Sequence, residues 1–184
     1  MSEGGSTFNW NIVVTSRQGG QRAVRRALHP LVRLRRAGFR NVLVGRVEDV
    51  EATLSGIAEL LERRRSLEGS LGKVLPVERT FALDVTRFHE QLVGEAPGLV
   101  DRLIGHTFHV RVERRGHKGV INTHAAELAL GEALYGALEA RAAQPKVTFS
   151  DPDVVVAVEL IGDVVGLALL TRDRRQRFPF VRVD

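Results

Sequence analysis

The sequence predicts an α+β fold: an N-terminal α/β unit followed by a second α/β unit with a mixed sheet. Three observations carry this. Runs rich in β-branched residues alternate with stretches of 3.6-residue apolar periodicity. The 184 residues are 43% hydrophobic and 27% charged, which supports a packed core and argues against disorder. A two-residue Gly162-Asp163 turn joins two long apolar runs near the C-terminus, the signature of a hairpin.

Met1–Thr7 (MSEGGST) is short, polar and Gly/Ser-rich, and is expected to be a flexible tail rather than a signal peptide. Trp10–Ser16 reads as a buried strand. Gln21–Ala37 shows helical spacing, with Val24, Ala27, Leu28, Leu31 and Leu34 on one face and Gly38 at its end. Pro30 inside this stretch predicts a kink or a restart. Asn41–Val47 is a second strand. Glu48–Leu67 is a helix with Glu48, Asp49 and Glu51 in its first turn and Arg63, Arg64 and Arg65 in its last, the order the macrodipole prefers. Glu68–Gly72 reads as a loop and Val77–Leu83 as a third strand. This alternation resembles a ferredoxin-like unit over residues 8–78, short of one strand unless the region near Asn41–Val47 hides a turn.

The second unit is expected over residues 79–184. Phe88, Leu92, Leu99, Val100 and Leu103 indicate a helix interrupted at Pro97-Gly98. Thr107–Glu113 alternates cleanly, with Phe108, Val110 and Val112 inward. A basic loop, Arg114–Gly119, leads to a helix capped by Asn122 or Thr123, whose stripe is Ala126, Leu130, Ala133, Leu134 and Leu138. Lys146–Phe149 is a short strand, and Val154–Ile161 and Val164–Leu170 form the hairpin.

The net charge is +5, with Lys+Arg 27 against Asp+Glu 22, and 24 of the basic residues are Arg. Arg grips phosphate through a planar fork. Codon bias accounts for Arg over Lys, but not for where the charge lies. Between Thr7 and Val47 there are nine Arg and no acid, leaving eighteen basic and twenty-two acidic residues elsewhere. On a continuous helix, Arg22, Arg25, Arg26, His29, Arg33 and Arg36 share one narrow arc, where like charges repel unless an anion compensates. A second cluster, Arg111, Arg114, Arg115, His117 and Lys118, surrounds the loop before Asn122, which is counted with them as an RNA-binding candidate. A third lies in the basic C-terminal segment with Arg172, Arg174 and Arg175. Three clusters make nucleic acid the expected partner. Aromatic residues at 5% give no broad stacking platform.

Catalytic signatures are missing from the sequence. With no Cys there is no disulfide, thiolate nucleophile or cysteine zinc site, and a reducing, cytoplasmic location is expected. Gly69–Lys73 has the wrong spacing for a P-loop, and Val74 stands where Ser or Thr is required. His89-Glu90 lacks the second His of HExxH. Gly116–Gly119 matches GXXG, but joins a strand to a helix rather than two helices. No run of about 18 apolar residues predicts a membrane span. No metal or other cofactor is expected.

The second half resembles a THUMP domain, the RNA-binding module of tRNA-modifying proteins. The resemblance rests on Thr107–Arg115, on Asn122-Thr123 opening a helix with Glu127 and Gly131, and on Lys146-Val147, Asp151-Pro152-Asp153 and Val154–Ile161 with Glu159. It covers residues 80–171, and the preceding half is similar to the ferredoxin-like unit that accompanies THUMP. The resemblance is greatest to the stand-alone THUMP adaptors that serve a tRNA cytidine acetyltransferase, which also begin with a strand like Asn11–Ser16 and close with a segment like Gly166–Phe180. It implies a non-enzymatic adaptor that binds tRNA through its phosphate backbone near the acceptor end and presents it to an enzyme acting in trans. The binding pair is expected to take up the 184 residues, with no length over for a catalytic domain. Two other classes remain open at this point: a subunit whose basic face docks an acidic protein surface, and a small RNA-processing enzyme with an unrecognised site.

Overall fold

The computed structural model describes residues 10–183; the expected tail, residues 1–7, lies outside them. Strand β1 (Ile12–Ser16) is a β-branched run, and Ile12, Val13 and Val14 are fully buried. It is the hub of the first sheet, antiparallel to β3 (Val42–Gly45) on one side and to β4 (Leu71–Pro76) on the other. Helix α1 (Gln21–Leu28) follows β1, and helix α2 (Val50–Arg63) links β3 to β4. The Asp49 carboxylate starts α2 by accepting the Ala52 N–H at 2.9 Å, and Leu54 and Ile57 fill the core beneath it.

The strand that the sequence reading lacks is β2 (Arg35–Arg36), antiparallel to β3. It lies inside the stretch read as helix. Pro30 has no N–H and ends the helical ladder. The N–H groups of Leu31 and Val32 both turn to the Leu28 carbonyl, at 2.9 and 2.8 Å, and close α1 there. The chain then runs extended, with Val32 and Leu34 buried and Arg33, Arg35 and Arg36 exposed. Gly38 at φ +82° and Asn41 at φ +62° turn it back into β3. With β2 in place, the order β2-β3-β1-β4 and the succession β-α-β-β-α-β are those of a ferredoxin-like unit. The stretch Val77–Leu83, read as the third strand of the first unit, does hold a strand, Arg79–Ala82, but it joins the second sheet; the strand that completes the first is β4, whose Leu71 and Gly72 are read as loop in the sequence.

The second sheet has the order β5-β9-β8-β6-β7, from β5 (Arg79–Ala82), β6 (Thr107–Arg115), β7 (Lys146–Val147), β8 (Val154–Ile161) and β9 (Val164–Thr171). It is mixed: β6 is parallel to β7 and β8, whereas β8 and β9 form the expected antiparallel hairpin. Helices α3 (Phe88–Leu99) and α4 (Thr123–Ala140) pack together. Pro97 does not interrupt α3; it sits in the last turn and deletes a single helical bond. Asn122, not Thr123, caps α4, accepting the Ala125 N–H at 3.1 Å.

The chain divides into two compact units, one of residues up to Phe81 together with the segment from Arg174 onward, the other Ala82–Asp173. The sequence reading assigns everything after residue 78 to the second unit. Helix α5 (Arg172–Arg177) leads the chain back, and the cause of the return is apolar. Phe178, Phe180 and Val181 are buried, and the Phe180 carbonyl accepts the Val74 N–H of β4 at 2.8 Å.

Candidate nucleic-acid interface

Arg22, Arg25 and Arg26 project from α1 opposite Val24 and Leu28, which the core holds. Because the chain reverses at Pro30, the expected single stripe of six residues divides. Arg36 returns to α1 from β2, so that Gln21, Arg22, Arg25, Arg36 and Leu43 line one shallow depression. Arg22, Arg25, Arg26, His29 and Pro30 line its neighbour. Arg33 does not join them; it borders a different depression with Arg46, Glu48 and Asp49. The proximity of Arg36 therefore comes from strand pairing, not from helical spacing. No acid lines the first two depressions. Among the described residues, Arg22, Arg25, Arg26 and Arg36 make no ion pair and no side-chain hydrogen bond. Among the described residues, four guanidinium groups without an acidic partner thus lie on one face, a concentration of positive charge that has the chemistry to receive an extended anion.

In the second unit the predicted basic residues have more varied settings. Lys118 is exposed at the tip of the loop. Arg114 donates to the Gly116 carbonyl at 3.1 Å. Arg111 is 3.5 Å from the Glu127 carboxylate, whose same oxygen accepts the Val112 N–H at 2.9 Å. His117 meets Asp163 at 3.0 Å. Arg115 is used inside the fold. Glu113 and Glu159 face each other across β6 and β8, and Arg115 stands 3.4 and 3.6 Å from them. Two adjacent carboxylates, one of them nearly fully buried, require that cation. Asn122 is committed to the cap of α4.

The C-terminal arginines differ most from the sequence reading. Arg172 binds the carboxylates of Asp151 and Asp153 at 2.9 and 2.6 Å. Asp153 is held below the ordinary carboxylate range first by the Thr107 backbone N–H and hydroxyl, at 2.7 and 2.8 Å, and then by the Arg172 charge. Arg174 pairs with Glu51 of α2 at 2.6 Å, and Arg175 is half-buried. This third cluster ties the fold rather than presenting free charge. The sequence reading also places Phe149 within a strand, whereas β7 ends at Val147 and Phe149 is 83% exposed. Among the described residues, no group of three or more His, Asp or Glu is placed to hold a metal ion, and no helix is long and apolar enough to cross a membrane.

The order of strands and helices in the second unit, with its basic loop, defines a class. Residues 90–170 match the THUMP domain family. Residues 90–170 thus have the sequence of a THUMP domain, and the strand order of the preceding unit is ferredoxin-like. Solved structures share the arrangement. TrmN from Thermus thermophilus superposes with a TM-score of 0.60 at 19% identity, over 86% of this chain and 44% of that one. PH1313 from Pyrococcus horikoshii gives 0.59 at 9% identity, over 87% and 54%. A 4-thiouridine synthetase in complex with RNA and ATP gives 0.51 at 11% identity, over 88% and 41%. At these identities the likeness is one of fold, and the chain spans about half the length of these proteins or less. No curated protein matches the chain in sequence.

Proposed function

We propose that this protein is a cytoplasmic tRNA-binding adaptor: it grips the phosphate backbone near the acceptor end and presents the tRNA to a modification enzyme acting in trans, with cytidine acetylation the reaction served. The observation that carries the reading is the acid-free set Arg22, Arg25, Arg26 and Arg36 on the same chain as a THUMP domain. A further support is that one structure of similar fold is an RNA complex. Arg114 and Lys118 add phosphate contacts from the THUMP side. The chain itself contributes binding and no chemistry.

The test has three arms. Purified protein incubated with total tRNA leaves the nucleosides unchanged by mass spectrometry; modification or cleavage by the chain alone overturns the adaptor reading. Adding a tRNA acetyltransferase and acetyl donor yields acetylcytidine that depends on this protein, and an unchanged yield without it removes the acetylation assignment. Pulldown with and without ribonuclease separates RNA from protein docking: an enzyme retained equally after ribonuclease argues for a protein-binding basic face.

A further inference from the structure

The segment after β7 holds out a ring that the core does not claim. Phe149 is 83% exposed, the highest value for a large apolar side chain among the described residues. Its backbone is tied on both sides. The Thr148 N–H donates to the Phe108 carbonyl at 3.1 Å, and the Thr148 hydroxyl to the Ser150 carbonyl at 3.3 Å. Beyond it, Arg172 clamps Asp151 and Asp153. The ring is backed by His109, with centroids 5.7 Å apart and planes at 42°, and the rest of it meets solvent. Lys146, three residues upstream, is exposed and makes no ion pair among the described residues.

A flat aromatic surface fixed in water beside a free cation has the chemistry that receives an unpaired nucleobase and its phosphate. A protein partner requires a continuous apolar patch. Here the neighbours Thr148, Ser150 and Asp151 are polar, and only Val147, 48% exposed, extends the surface. The site is the size of one ring.

We propose that Phe149 is a stacking platform for one unpaired base of bound RNA, with His109 supporting the ring and Lys146 meeting the adjacent phosphate. This rests on the RNA-binding reading above and adds single-strand recognition to it. The test titrates the full chain with a fluorescent oligoadenylate of about eight nucleotides and with an RNA duplex. Phe149→Ala is expected to weaken the single strand about 5- to 100-fold and leave the duplex unchanged. Phe149→Trp retains affinity, and its fluorescence is quenched on binding, a signal that buried Trp10 does not give; Phe149→Leu recovers little. Wild-type affinity for Phe149→Ala, or full recovery by Leu, overturns the stacking role alone when Arg25→Glu/Arg26→Glu still abolishes binding. Should Phe149→Ala melt early, absence of quenching in Phe149→Trp overturns the role instead. If the wild-type chain binds neither RNA, both readings fall.

Discussion

Replacing Arg25 and Arg26 with Ala removes two of the four unpaired guanidinium groups on the α1–β2 face. If each of the four neutralises one phosphate, the face contributes a slope of about −2.8 to −3.6 to the dependence of log affinity on log salt, at about −0.7 to −0.9 per contact. Between 50 and 200 mM salt that contribution alone weakens tRNA binding by about 50- to 150-fold. The double variant should lose about 1.4 to 1.8 from the slope. Its melting temperature should stay within a degree or two, because both side chains are exposed and neither pairs with an acid. Filter binding of labelled tRNA at five salt concentrations, with thermal melting of the same preparations, measures both quantities. An unchanged slope refutes the phosphate assignment, and a fall of several degrees shows that the arginines support the fold.

Three further outcomes are expected. Asp153→Asn should lower the urea midpoint at neutral pH, and the gap from wild type should narrow on acidification. The native carboxyl titrates below the unfolded one, so its stabilisation is present above the ordinary carboxylate range and is lost as pH falls through the depressed value; an equal gap at pH 7 and pH 3 contradicts this. Gly72→Ala should destabilise by about 1–3 kcal/mol in chemical denaturation, because a Cβ there would lie 2.5 Å from the Thr15 hydroxyl oxygen and 3.1 Å from the Thr15 carbonyl oxygen. Asn122→Ala should cost about 0.5–2 kcal/mol through the lost cap of α4, with tRNA affinity at saturating folded protein unchanged; a binding defect without a stability defect would return Asn122 to the RNA interface.

The elements with regular apolar spacing are legible in the sequence. The β8–β9 hairpin follows from two apolar runs and Gly162-Asp163, and α4 from its leucine stripe and Asn122. What escapes is β2, a strand of two arginines that carries no hydrophobic signature and is defined only by its pairing with Leu43 and Val44. Pro30 is visible, but its consequence depends on that pairing: a kinked helix and a reversal share the same local sequence. The basic face follows from one sound signal and one unsound one. Acid depletion holds, and helical geometry past Leu28 does not, which is why Arg36 stays in the cluster and Arg33 leaves it. Arg115, Arg172 and Arg174 illustrate the other limit. Their partners Glu159, Asp151 and Glu51 lie 44, 21 and 123 positions away, and charge counting along the chain does not see them.

The return of Phe178, Phe180 and Val181 to β4 means that the unit whose synthesis begins first is the one whose residues are complete last. The ribosome makes the strands of the first sheet before any of the THUMP residues, yet that sheet lacks the apolar segment beside Val74 until the chain has emerged past Val181. The second unit, contiguous from Ala82 to Asp173, has all its strands and helices earlier. A nascent chain stopped after Asp173 would therefore carry every residue of the second unit and still lack the segment that closes the first.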